Sequence, residues 1–125
     1  MSDRKQYLRQ TTSQDLTSVA LSYTTSFGTN FQVQQVLFHF SGSNSLTTTI
    51  SWVSRDGTNY TTVLDATTLS SATSYVWRPS GGCIFMDGDE LKVACTSGTA
   101  VTVYVTILAE PLGHQAAGSS MVKGN

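Results

Sequence analysis

Residues 75–107 read YVWRPSGGCIFMDGDELKVACTSGTAVTVYVTI, and this stretch decides the fold class. It is the most apolar and most regularly alternating part of the chain, and it reads as three β-strands separated by two turns. In its last strand Val101, Val103, Val105 and Ile107 fall on one face, with Thr102, Tyr104 and Thr106 on the other. A period of two with β-branched residues on both faces predicts a half-buried strand. Before it, Asp87-Gly88-Asp89 separates Cys83–Met86 from Leu91–Cys95. A hairpin with Phe85 opposite Val93 sets Cys83 opposite Cys95 and Leu91 beside Phe85. Ile84, Met86, Lys92 and Ala94 then share the other face.

Outward from this unit the same punctuation repeats. Val19, Leu21 and Tyr23 predict an inward-facing strand that ends near Ser26, and Phe27–Asn30 is a turn. In the next strand Phe31 and Val33 have one parity while Val36, Phe38 and Phe40 have the other. One extra residue near Gln34-Gln35, a β-bulge, restores a single inward face. Leu46 to Ser54 follows with Leu46, Ile50 and Trp52 inward, and Arg55-Asp56-Gly57 closes a hairpin. A three-residue turn sets Trp52 opposite Tyr60 and aligns Leu64 with them. A two-residue turn sets Val53 opposite Tyr60 instead, so the first register is preferred because it groups the large residues. Ala66 to Thr73 reads as a polar connection, and Pro79 with two following glycines ends the strand at Trp77.

About eight short strands result, the pattern of a two-sheet sandwich. The lack of a Cys-Trp-Cys arrangement weighs against an antibody-type domain. The strand number and long connections favour a jelly roll over the immunoglobulin-like alternative. The expected organisation is an extended N-terminal arm over 1–17, a jelly-roll-like all-β sandwich over 18–109 and a C-terminal tail over 110–125.

Composition supports this and removes several classes of function. The chain has 125 residues, enough for one domain that buries roughly two thirds of its surface. Charged residues make up 12% and the net charge is −1, so no electrostatic footprint for nucleic acid or an anionic membrane exists. The small basic cluster Arg4, Lys5 and Arg9 is flanked by Asp3 and Asp15 and reads as a solvated arm. Ser and Thr are abundant, which suits turns and pleated strands. No apolar run follows Met1, so no secretory leader is expected, and no stretch is long enough for a membrane span. Two cysteines fit neither a disulfide scaffold nor a zinc motif, and reduced thiols are expected in a cytosol.

Reactive groups are sparse. Of the two histidines, His39 has the parity opposite to the core and His114 lies in the tail, which does not suit a triad or a metal site. Asp87, Asp89 and Glu90 form an acidic cluster, but the calcium loop of an EF-hand is missing and a turn is the simpler reading. Asn59 begins an Asn-X-Thr sequon, and with no secretory leader expected it is expected to carry no glycan. Neither a cofactor nor a metal is expected.

With these residues in place, the chain resembles the small structural proteins of tailed bacteriophage virions. The likeness is carried by Gly81-Gly82-Cys83-Ile84-Phe85-Met86-Asp87-Gly88-Asp89-Glu90-Leu91-Lys92-Val93 and by the Val101–Ile107 strand. Phe38-His39-Phe40-Ser41 and the Thr-rich hairpin after it are in keeping. The likeness covers residues 31–108 and rests on glycine-centred patterns shared by several virion components. It implies a jelly-roll or related sandwich, often a homotrimer, that decorates or cements a capsid and carries no catalytic residues. The implied partners are the major capsid protein and further copies of the chain, with no nucleic acid and no membrane. The implied location is the capsid surface of the virion, after synthesis in the host cytoplasm. Candidate partner-binding residues are Tyr7, Leu8 and Arg9 in the arm, His39, Trp77 and Tyr104 on the sandwich, and Pro111, Leu112 and His114 in the tail. Two alternatives use the same scaffold. One is a head–tail, tail or fibre component that reads a receptor through Tyr104, Trp77 and His39. The other is a carbohydrate-binding sandwich that stacks sugars on Trp77 or Trp52.

Overall fold

The computed structural model describes residues 7–55, 61–80 and 83–112. Among them are nine strands: β1 (Leu8–Asp15), β2 (Leu21–Thr25), β3 (Phe31–Asn44), β4 (Thr47–Val53), β5 (Thr61–Thr68), β6 (Ala72–Trp77), β7 (Ile84–Phe85), β8 (Glu90–Cys95) and β9 (Thr102–Pro111). A five-stranded sheet of order β1-β9-β3-β6, with β7 also on β3, packs against a four-stranded sheet of order β2-β8-β4-β5. All these pairings are antiparallel. Apart from the two-residue β7, the pairs are nested: β1 with β9, β2 with β8, β3 with β6, β4 with β5. That is one long hairpin rolled into two layers, the topology of a jelly roll. The fold class read from the sequence is the fold observed.

The core lies between the layers, and the alternating residues fill it. Val101, Val103, Val105 and Ile107 are all buried. The bulge in β3 is present: its register with β9 shifts between Val33 and Gln35. Because of that shift Phe31, Val33, Val36, Phe38 and Phe40 all point inward and are buried, although their sequence parity changes. Each such side chain contributes about 1.5–3 kcal/mol of transfer free energy relative to exposure.

The opening stretch is more divided than its pattern suggests. Cys83–Met86 and Leu91–Cys95 do not form a hairpin. β7 pairs with β3, setting Phe31 opposite Phe85, while β8 lies in the other sheet between β2 and β4. The Phe31 and Phe85 rings stack with centroids 4.9 Å apart. β6 and β7 both pair with β3, and the Pro79 segment lies between them. Cys83 and Cys95 are therefore not cross-strand neighbours, and both are free.

One register and several boundaries also differ from expectation. Trp52 pairs with Thr62 and Val53 with Thr61, so neither proposed hairpin register holds; Tyr60 and the Asp56-Gly57 turn lie outside the described residues. The expected connection over 66–73 is largely strand, since β5 continues to Thr68 through Thr48↔Thr67 and Thr47↔Thr68. Val19 is 51% exposed and precedes β2, whereas Leu21 is buried and Tyr23 half-buried. Within the expected N-terminal arm, Leu8–Asp15 is β1, zipped to β9 over its whole length. β9 stops at Pro111, and the Leu112 N–H donates to the Asn30 carbonyl at 3.0 Å.

Candidate functional site

Side chains of alternate parity on β1, β9, β3 and β6 form the outer face of the larger sheet. Strand register arranges them in rows. Ser13, Tyr104, His39 and Ser74 lie side by side; next come Thr11, Thr106, Leu37 and Val76; then Arg9, Leu108 and Gln35. Tyr104 is 49% and Val76 39% exposed, while Leu37 and Leu108 are half-buried. The His39 and Tyr104 rings are 6.1 Å apart and tilted by 34°. Charges stand at the margins: Arg9 and Asp15 on the edge strand, Glu110 near the end of β9, and Arg78, whose Nε donates to Gln35 Oε1 at 3.0 Å. A shallow groove of about 430 Å³ runs over this face beside Thr11, Thr12, Ser13, Tyr104, Val105 and Thr106.

This arrangement suits contact with another macromolecule. A flat patch of aliphatic and aromatic side chains, interleaved with hydroxyls and rimmed by charge, has the anatomy of a protein interface. The carboxylates with the most hydrogen bonds lie elsewhere and are structural. Asp65 Oδ2 accepts from the Tyr75 hydroxyl at 2.7 Å and the Thr67 hydroxyl at 3.0 Å, tying β5 to β6 across the edge of the sandwich. Burial raises the Tyr75 pKa, and the Asp65 charge adds to that, so this phenol is not activated.

Asp89 is the buried acidic residue of the corner between β7 and β8. Its Oδ1 accepts the Arg55 N–H and its Oδ2 the Met86 N–H, both at 2.9 Å. Desolvation pushes its pKa up, but the hydrogen bonds from the Arg55 and Met86 N–H groups, the nearby Trp52 side chain and the Arg55 charge bring it below the ordinary value. Asp87 and Asp89 thus build a corner. Arg55 Nη1 donates to the Asp87 carbonyl at 2.8 Å, and the Asp87 N–H donates to Asn30 Oδ1 at 2.7 Å. Burial pushes the Cys95 thiol up to about 11 and raises the Cys83 thiol, so neither is a ready nucleophile near neutral pH. Among the described residues no three His, Cys, Asp or Glu side chains could together hold a metal ion. A cleft of about 180 Å³ is lined by Trp52, Leu64, Cys83, Ile84 and Phe85.

The candidate residues from the sequence divide sharply. Arg9, His39 and Tyr104 converge on the outer face of the larger sheet. Tyr7, just before β1, is 50% exposed. Leu8 and Trp77 do not join the face: both are half-buried and pack against the core, Leu8 opposite Ala109 and Trp77 opposite Val36. Pro111 pairs with Phe31 at the end of β9, Leu112 is held by Asn30, and His114 lies outside the described residues. Leu37, Val76 and Leu108 were not among the candidates, although each is an apolar residue on the parity that faces away from the core. Comparison with protein-family models, curated proteins and solved structures finds no match.

Proposed function

We propose that this chain is a non-enzymatic structural protein of a tailed-phage virion. In this reading it is a decoration or cement protein that binds the outside of the major capsid shell. The observation that carries it is the outer face of the larger sheet, where Leu37, Val76, Tyr104 and Leu108 form an apolar band with charge only at the margins. Such a band desolvates at low cost, and Thr, Ser and Tyr supply hydrogen bonds with little side-chain entropy to lose. The likeness of residues 31–108 to virion components supports the same reading, as does a jelly-roll scaffold, which recurs in viral capsid domains. Many copies on a symmetric shell also gain through multivalency, so modest affinity per copy suffices.

Quantification of the chain in purified virions tests the proposal. A copy number that scales with the number of capsid subunits is expected. A handful of copies per particle points to a tail or fibre part instead, and absence from particles rules out both. Removal of residues 113–125 is expected to lower occupancy on the shell while leaving the thermal transition of the sandwich in place.

A further inference from the structure

An open sandwich leaves edge strands whose outer N–H and C=O groups need a partner or a protective device. Among the described residues the edges are β1 on one side of the larger sheet, β6 and the two-residue β7 on the other, and β2 and β5 in the smaller sheet. All of these except β1 are interrupted or short. β5 is bulged, its register with β4 shifting between Ile50 and Ser51. The register of β6 with β3 also shifts, and Pro79 follows closely. β2 has 5 residues. β1 has no such device. It keeps one register with β9 through all 8 of its residues, from Leu8↔Ala109 to Asp15↔Thr102, and contains no Pro, Gly or Lys.

The sequence of this edge, Leu8-Arg9-Gln10-Thr11-Thr12-Ser13-Gln14-Asp15, is complementary to itself when reversed. An antiparallel partner must present backbone groups of the same orientation, so across a two-fold axis even-numbered residues meet even and odd meet odd. The register centred on Thr12 sets Arg9 opposite Asp15, Gln10 opposite Gln14 and Thr11 opposite Ser13, each of them twice. A slip of two residues in either direction sets Arg9 opposite Ser13 or Thr17 and leaves both charges unmatched. Arg9, Thr11, Ser13 and Asp15 are all exposed and share the outer face. Asp15 Oδ1 accepts the Thr17 N–H at 3.0 Å, which fixes the carboxylate and leaves Oδ2 for a guanidinium.

We propose that two copies of this chain pair antiparallel through β1 about a two-fold axis at Thr12. Their larger sheets join into one continuous sheet, and an Arg9–Asp15 pair at each end sets the register. The interface is isologous, the commonest form of homodimer. It replaces the three-fold arrangement implied by the virion resemblance, and it does not depend on the capsid reading. It also places the two outer faces side by side on one surface.

Light scattering after size exclusion of the full chain is expected to give twice the 13.4 kDa chain mass. R9D sets carboxylate opposite carboxylate at both ends, and D15R sets guanidinium opposite guanidinium. Each variant alone is expected to dissociate at least tenfold more readily than the original chain. A mixture of the two restores opposite charges at both ends and is expected to recover a one-to-one dimer. Three results would overturn the proposal: an original chain that is monomeric or three-fold in mass, a dimer insensitive to R9D, or a mixture that associates no better than its components. Circular dichroism of R9D and D15R, expected to match the original chain, separates lost pairing from lost folding.

Discussion

The outer face of the larger sheet and the corner between β7 and β8 both break the simple rule of apolar inside and polar outside, in opposite senses. On the face, Leu37, Val76 and Leu108 lie on the solvent side, opposite in parity to the buried Val36, Phe38 and Ile107. At the corner a carboxylate, Asp89, is 3% exposed. The first departure has no role in closing the core, and it is the face proposed to dock. The second is offset within the chain, since both carboxylate oxygens accept backbone N–H groups and the folded state holds the charge. Position relative to the core thus separates what the chain uses to fold from the face proposed for docking.

Substitution should keep the two regions apart. Asp89→Ala strands two backbone donors in a buried corner and is expected to cost about 3 kcal/mol of unfolding free energy, since each unsatisfied donor costs roughly 1–3 kcal/mol. Denaturant titration measures it, and a loss below about 1 kcal/mol would place the corner among ordinary surface turns. On the face, Leu37→Asp combined with Tyr104→Asp is expected to weaken capsid binding by about 2 kcal/mol or more, roughly 30-fold. Leu37 is half-buried and Asp is a poor strand residue, so the pair is also expected to cost about 1–2 kcal/mol of stability. Circular dichroism at the binding temperature checks that the sandwich stays folded. Gly88→Ala is a smaller perturbation of the corner. Gly88 has φ +99°, and a Cβ there would lie 2.9 Å from Arg55 Cδ, so roughly 1–2 kcal/mol of destabilisation is expected.

The fold was legible where parity alone carries information. The β9 valines and the β3 bulge could be read because side-chain direction depends only on counting by two. Parity says which way a residue points but not which strand lies beside it. The Phe85–Val93 hairpin failed for that reason: Phe85 stacks on Phe31 in one sheet, and the Asp89 hydrogen bonds turn the chain into the other. The β4–β5 register failed because a short Asp-Gly turn was assumed, whereas Trp52 meets Thr62. Half of the candidate face was visible as well. His39 and Tyr104 stood out on the outward parity, but Leu37, Val76 and Leu108 stand beside apolar residues of the inward parity and were not singled out. A large aromatic before a turn suits a platform, an interface or a core by sequence alone, and Trp77 packs inward opposite Val36.

The smallest expected effect is the pH dependence of the corner. The pKa of Asp89 is lowered in the folded state, so its stabilisation is complete above the ordinary carboxylate value of 3.8 and fades as pH falls through the depressed folded value. Asp15, lowered by the Thr17 N–H, acts in the same direction. In Asp89→Asn the Asp89 part of the acid-induced loss should be missing, so its unfolding free energy should change less between pH 5 and strongly acidic pH. An acid limb as steep as that of the original chain would assign the effect to other carboxylates.

Co-sedimentation with capsid shells that lack this chain tests the proposed docking most directly. It compares Leu37→Asp/Tyr104→Asp on the larger sheet with Thr49→Asp, which lies between Ala94 and Ala66 on the outer face of the smaller one. The first variant should remain in the supernatant while the second pellets like the original chain. Equal binding by both, or loss only with Thr49→Asp, would contradict the claim that the larger sheet carries the docking face.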